Sequence, residues 1–188
     1  MKLDAVAAAM VAVDRADFVP SDWREHAAED RPLPIGLGQT NSQPRTVANM
    51  LRLLEVLPGH HVLDVGAGSG WTTALLAHLV GPDGSVIGVE LEPALAEWGA
   101  GNLASYPMPW ARLLPARPET LGWPDEAPYD CILVSAQAPA LPPSLVEQLR
   151  PGGIMVIPVR SIMLRVQTTD EGSPEVTRHG GYRFVPLR

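Results

Sequence analysis

A chain of 188 residues is long enough to bury a substantial core and short enough to form one domain. Hydrophobic residues make up 46% and charged residues 19%, which excludes a largely disordered chain. The formal net charge of −7 argues against a general nucleic-acid binder.

Residues 3–13 are predicted as a helix, because Leu3, Val6, Met10 and Val13 recur near helical spacing among five alanines. Trp23 to Arg31 reads as a polar loop or short helix. Pro34 to Pro44 contains two glycines and several polar donors, and reads as an irregular loop. Ser42 stands before Pro44, where a helix cap would stand, so capping and a functional role are both open for it. A helix over Arg45 to Leu57 places Val47, Met50, Leu51, Leu54 and Leu57 on one side, and Pro58-Gly59 ends it. Strands are predicted at Val62–Val65, Val86–Glu90, Trp110–Leu114, Tyr129–Ala136 and Ile154–Val159. Helices between them fall at Thr72–Val80, Pro93–Leu103 and Leu145–Leu149. This alternation predicts an α/β, Rossmann-like, doubly wound and mostly parallel sheet. Leu164–Thr169 and Gly181–Leu187 read as an antiparallel edge. The expected organisation is one domain over residues 1–188. Within it, 1–58 form the N-terminal helices and substrate loop, 59–160 the cofactor core, and 161–188 the edge.

The stretch with the most chemistry is Val62-Leu63-Asp64-Val65-Gly66-Ala67-Gly68-Ser69-Gly70. It reads as strand, glycine turn, helix. Glycine allows backbone angles that other residues resist and lets a ligand touch the main chain, and the helix start offers free N–H groups. A dinucleotide fingerprint places its third glycine later. Here the glycines alternate strictly, and Asp64 would repel a pyrophosphate but could bind an ammonium, directly or through water. That combination suits S-adenosylmethionine (SAM) better than NAD. Glu90 ends the next strand, the usual place for a ribose-binding carboxylate. Ligands of such sheets sit at the carboxyl ends of the strands, where Asp64, Glu90, Ser135 and the loop holding Ser42 would meet.

Other residues carry less. Cys131 is the only cysteine, so no intrachain disulfide can form, and within an apolar run it reads as core. The five histidines show no paired metal-ligand spacing, and no metal is expected. No leader or membrane-length apolar run is read, so the expected location is the cytoplasm. Residues 1–94 carry 6 Lys/Arg against 12 Asp/Glu and residues 95–188 carry 8 against 9, so the second half accepts an anionic substrate more readily.

Taken together, Pro34-Ile35-Gly36, Gly38-Gln39-Thr40, Ser42-Gln43-Pro44, the glycine turn, Tyr129-Asp130, Pro151-Gly152-Gly153 and Phe184-Val185-Pro186-Leu187 resemble the protein-L-isoaspartate O-methyltransferase family. The resemblance runs from about residue 4 to the end. It implies methyl transfer from SAM, leaving S-adenosylhomocysteine, to the free carboxylate of L-isoaspartyl and D-aspartyl residues in damaged proteins or peptides. It also implies an active-site serine at Ser42 with Thr40, Asn41 and Ser135 around the substrate. The cofactor side implied is Asp64, Gly66, Ala67, Gly68, Ser69, Gly70, Glu90, Leu91 and the segment of Arg117. No nucleic acid or membrane partner is expected.

Three positions depart from the family pattern. Ala116-Arg117-Pro118 stands where a Gly-Asp-Gly acid accepts from adenine, and Arg117 cannot accept a hydrogen bond. Asn41 stands where an apolar residue is usual, and Ala28 where an aromatic one is common. These departures keep two alternatives open: a specialised peptide or small-molecule substrate, or a SAM-binding protein without activity. A nucleic-acid amino methyltransferase is disfavoured, because Ser135-Ala136-Gln137-Ala138 replaces the Asn/Asp-Pro-Pro-aromatic signature after the fourth core strand.

Overall fold

The computed structural model describes residues 4–169 and 172–188; Leu3, part of the predicted first helix, lies outside them. Helix α1 (Ala5–Ala12) starts where the Asp4 carboxylate accepts from the Ala7 N–H at 2.6 Å. Two 3-10 turns follow, Arg15–Phe18 and Ser21–His26. Strands β1 (Leu33–Gly36) and β2 (Gln39–Asn41) pair as a separate antiparallel hairpin. Helix α2 (Pro44–Leu54) opens on proline and buries Val47, Met50, Leu51 and Leu54, the spacing of one helical face. It stops at Glu55, whose φ of 55° is left-handed.

The core then builds strand by strand: β3 (His61–Val65), α3 (Trp71–Val80), β4 (Ser85–Glu90), α4 (Pro93–Ala104) and β5 (Ala111–Pro115). Strand β6 (Tyr129–Val134), the short helix α5 (Pro143–Val146) and β7 (Leu149–Val159) complete the parallel part. Strands β8 (Ile162–Thr169) and β9 (Gly172–Gly181) add antiparallel. The order is β5-β4-β3-β6-β7-β8-β9. The chain thus leaves β3 in one direction through β4 and β5, then returns to its other side with β6. That switch opens a crevice at the carboxyl ends of β3 and β6.

Register brings the strand ends level. Val65 pairs with Val89 and with Val134, so Gly66, Glu90 and Ser135 leave the sheet together. The Gly66 N–H donates to Val89 O at 2.9 Å and the Ser135 N–H to Val65 O at 2.8 Å. The winding is uneven. One face packs against α1, α2, α3 and α4 through residues such as Val6, Leu51, Leu75 and Leu103. The other is covered by α5 and the segment around Leu121 and Trp123.

Several elements differ from the sequence expectation; β7, for one, starts at Leu149, inside the predicted helix Leu145–Leu149. The predicted irregular loop is the β1–β2 hairpin: Leu33 and Ile35 alternate inward, and Gly36, Leu37 and Gly38 turn the chain at positive φ. Leu57 extends no helix and is 58% exposed. The last strand is Gly172–Gly181 rather than Gly181–Leu187. An outer edge strand half in water needs no apolar alternation, so its sequence carried none. Residues 182–188 instead run back across the sheet end, where Leu187 N–H donates to Gln137 O and Gln137 N–H to Val185 O. Among the described residues no helix is long and apolar enough to cross a membrane.

Candidate active site

The glycine turn follows β3. Gly66, Gly68 and Gly70 have φ of 78°, 54° and 87°, the left-handed region that side chains resist. A β-carbon on Gly70 would lie 2.8 Å from Gly99 O, so this glycine lets α3 and α4 approach. Gly66 and Gly68, with Ala67 and Ser69, line a cavity of about 580 Å³ at the strand ends. Gly70, expected at the cofactor, does not line it.

Asp64, also expected at the cofactor, stands apart from the wall. Its side chain is wholly buried and is not part of the cavity wall. Oδ2 accepts from the Thr72 and Thr73 hydroxyls, each at 2.7 Å, which ties the first turn of α3 to β3. Oδ1 has no partner among the described residues. Burial, with a smaller contribution from the Glu90 charge, pushes the carboxyl up to about 6. Its carboxyl thus lies behind the turn and not on the cavity wall.

Glu90 occupies the predicted position. Oε2 accepts from the Gly68 N–H at 2.8 Å and Oε1 from the Glu92 N–H at 3.0 Å. Each carboxylate oxygen keeps a further lone pair for a ligand hydroxyl. Leu91 and Arg117 also line the cavity. The Arg117 guanidinium pairs with Asp125 at 2.7 Å and stacks 4.0 Å from the Trp123 ring centre, which holds it in the wall.

A second opening of about 670 Å³ adjoins the first. The two share Thr40, Ser42, Ser135 and Val185. Ser42 is not the cap of α2: that place belongs to Gln43, whose side chain makes no cap bond, and the Asp30 carboxylate accepts from the Arg45 N–H at 2.9 Å instead. The Ser42 hydroxyl makes no hydrogen bond among the described residues. Asn41 also lines the cavity, with its side chain buried.

What sequence reading missed is Arg15. It is 4% exposed, and every N–H of its guanidinium is used. Nε donates to Asn41 Oδ1 at 2.7 Å, and Nη1 donates to the Ala27 and Glu29 carbonyls. Nη2 donates to the carbonyls of Arg31, Asn41 and Ser42 at 2.9, 3.2 and 3.0 Å. One buried cation thus gathers the chain from 27 to 42 around the site. Burial lowers it to about 10, so it stays charged at neutral pH. Nothing local marks it: Asp14-Arg15-Ala16-Asp17 reads as a solvated helix end. The wall formed by Val185 to Arg188 was also missed, although the Phe-Val-Pro-Leu run already stood out.

A turn that presents main chain to a ligand, backed by one buried carboxylate and flanked by another, suits a cationic nucleoside rather than a pyrophosphate. The molecule is a SAM-dependent methyltransferase, as its family match shows. The family model described as Protein-L-isoaspartate(D-aspartate) O-methyltransferase matches residues 1–188, and the chain belongs to that family. Its cofactor is SAM, and its substrates are isoaspartyl-containing proteins.

A relative from Methanopyrus kandleri, named Protein-L-isoaspartate O-methyltransferase, is 50% identical over 186 residues, covering 97% of this chain and 82% of its own. A crystal structure from Plasmodium falciparum, described as this enzyme in complex with S-adenosyl-L-homocysteine, matches with a TM-score of 0.87 at 25% identity. That match covers 100% of this chain and 92% of the other. Another structure named protein-L-isoaspartate O-methyltransferase matches with a TM-score of 0.90 at 23% identity, covering 99% of this chain but 62% of that longer one, and shows the fold.

Proposed function

We propose that Ser42 orients the isoaspartyl carboxylate for methyl transfer at the point where the two openings meet. The observation that carries this is the sharing of Thr40, Ser42 and Ser135 by both openings, with an uncommitted hydroxyl on Ser42. The cofactor opening fits SAM: it offers the glycine turn, the Ser69 hydroxyl and a Glu90 carboxylate already aimed by two N–H groups. Glu90 would hold the ribose hydroxyls, and the turn from Gly66 to Ser69 the amino-acid end. Leu91 and Arg117 would flank the adenine. Bound SAM supplies a sulfonium methyl to which a carboxylate oxygen can bond as the thioether leaves.

The chain's own task is placement. A carboxyl of pKa about 3.5 is ionised at neutral pH, so no general base is required. The Ser42 O–H donates to one carboxylate oxygen and turns the other toward the methyl. Thr40 and Ser135 stand beside it. The hairpin closes the site from one side, since a β-carbon at Gly68 would meet Ile35 Cδ1 at 3.2 Å. The tail closes it from another through Val185 and Leu187. Together they exclude water that would compete for the methyl. The reading includes one domain over residues 1–188 acting in the cytoplasm, where the lone buried Cys131 is at home.

The test is methyl transfer from labelled SAM to an isoaspartyl peptide and to its aspartyl twin, with Ser42→Ala alongside. The expected result is transfer to the isoaspartyl peptide alone. In the variant kcat should fall by about tenfold or more, the worth of one hydrogen bond to a charged group, with S-adenosylhomocysteine affinity unchanged. Equal labelling of both peptides, or an unaffected variant, would overturn the assignment.

A further inference from the structure

The Asn41 side chain is buried and used at both ends. Its Oδ1 accepts from Arg15 Nε at 2.7 Å, and its Nδ2 donates to Ser69 Oγ at 3.1 Å. Ser69 belongs to the glycine turn and lines the cofactor cavity, while Asn41 is the residue before Ser42. The amide therefore bridges two segments 28 residues apart that serve different ligands. We infer that Asn41 is a positioning residue that couples the two halves of the site, so that filling the cofactor cavity tightens binding of the isoaspartyl substrate. This inference rests on the roles proposed above for Ser42 and the cofactor cavity.

The chemistry runs through the Ser69 hydroxyl. Because Oγ accepts from Asn41, its own proton points elsewhere, and no acceptor among the described residues takes it. A ligand oxygen in the cavity can accept that proton. Donating it makes Oγ a stronger acceptor, and the Asn41 N–H bond tightens in turn, as hydrogen bonds in series reinforce one another. The Ser69 carbonyl is fixed separately by Asn102 Nδ2 at 3.0 Å, so the turn is anchored while the hydroxyl responds. On the far side, Arg15 binds the Asn41 amide oxygen and the carbonyls of Asn41 and Ser42. Whatever steadies the Asn41 side chain steadies the backbone that carries the Ser42 hydroxyl. Linkage makes the effect reciprocal: substrate held at Ser42 must tighten cofactor binding by the same factor.

The experiment measures the affinity of an isoaspartyl peptide by calorimetry, with and without saturating S-adenosylhomocysteine, which permits no turnover. It is run on the full chain as wild type, Asn41→Leu and Ser69→Ala, together with the affinity for S-adenosylhomocysteine alone and a thermal melt. In the wild type the peptide should bind about fivefold tighter or more with the cavity filled, the lower end of ordinary coupling. In each variant that gain should collapse to less than about twofold while both ligands still bind. A gain that survives in the variants, or is absent from the wild type, overturns the inference. Should Asn41→Leu fail to fold, Ser69→Ala decides alone, because it cuts the same link and leaves the Arg15–Asn41 bond in place. A wild type that binds no S-adenosylhomocysteine or no isoaspartyl peptide would sink the functional reading itself, and the coupling with it.

Discussion

The two halves of the site are built by different means. The cofactor half grows out of the sheet: β3, β4 and β6 end level, and the turn, Glu90 and Ser135 follow from their register. Its polar groups are oriented by main-chain N–H groups, as at Glu90. The substrate half has no strand of the main sheet beneath it. A two-stranded hairpin, the Ser42 loop and the tail are gathered instead by side chains, chiefly Arg15. Backbone register tolerates replacement of most side chains, whereas a side-chain frame hangs on single residues. The first half is therefore robust everywhere except at its glycines and its carboxylates.

The largest expected effect is on the cofactor half. Glu90→Ala removes the acceptor for two N–H groups and, on the proposed reading, for the ribose, and should weaken S-adenosylhomocysteine by about a hundredfold in calorimetry. A loss below threefold would show that the strand-end carboxylate is only structural. Next, Gly70→Ala places a β-carbon 2.8 Å from Gly99 O at φ 87° and should destabilise the fold by about 2–3 kcal/mol in denaturant titration. An unchanged midpoint would mean that the α3–α4 approach is soft.

Asp64→Asn is expected to act through pH. The folded carboxyl titrates near 6 and the unfolded one near 3.8, so the folded state retains a proton that the unfolded state has lost between those values. The contribution of this carboxyl to stability is then fullest below about pH 4, falls as pH rises to about 6, and is flat above; the drop should be about 3 kcal/mol. The variant should lack that slope in unfolding measured across pH 4 to 7. The smallest effect is expected at Arg117→Ala, whose exposed pairing with Asp125 is screened by water; S-adenosylhomocysteine affinity should change less than about threefold. A larger loss would make Arg117 part of the adenine site rather than of its wall.

Legibility in the sequence follows the same division. The glycine turn, Glu90 and the parallel order were readable because each depends on neighbours within a few residues or on strand–helix alternation. Asp64 was readable as important but its place behind the turn was not, since only the packed helix start shows that Thr72 and Thr73 claim its one satisfied oxygen. The hairpin was hidden because three positive-φ residues at Gly36 to Gly38 look like a loop from either side. Arg15 was invisible, because five of its six acceptors are main-chain carbonyls 12 to 27 residues away, and a main-chain carbonyl has no letter in a sequence.

The tail has a practical consequence for anyone handling the molecule. Val185 to Arg188 form part of the cofactor cavity wall, and Arg188 pairs with Glu92 at its rim. A purification handle or fluorophore attached after Arg188 would start at the mouth of the site and compete with the cofactor for space. The exposed turn at Pro82-Asp83 lies at the opposite end of the strands, beside the start of β4, and is the better place to attach one.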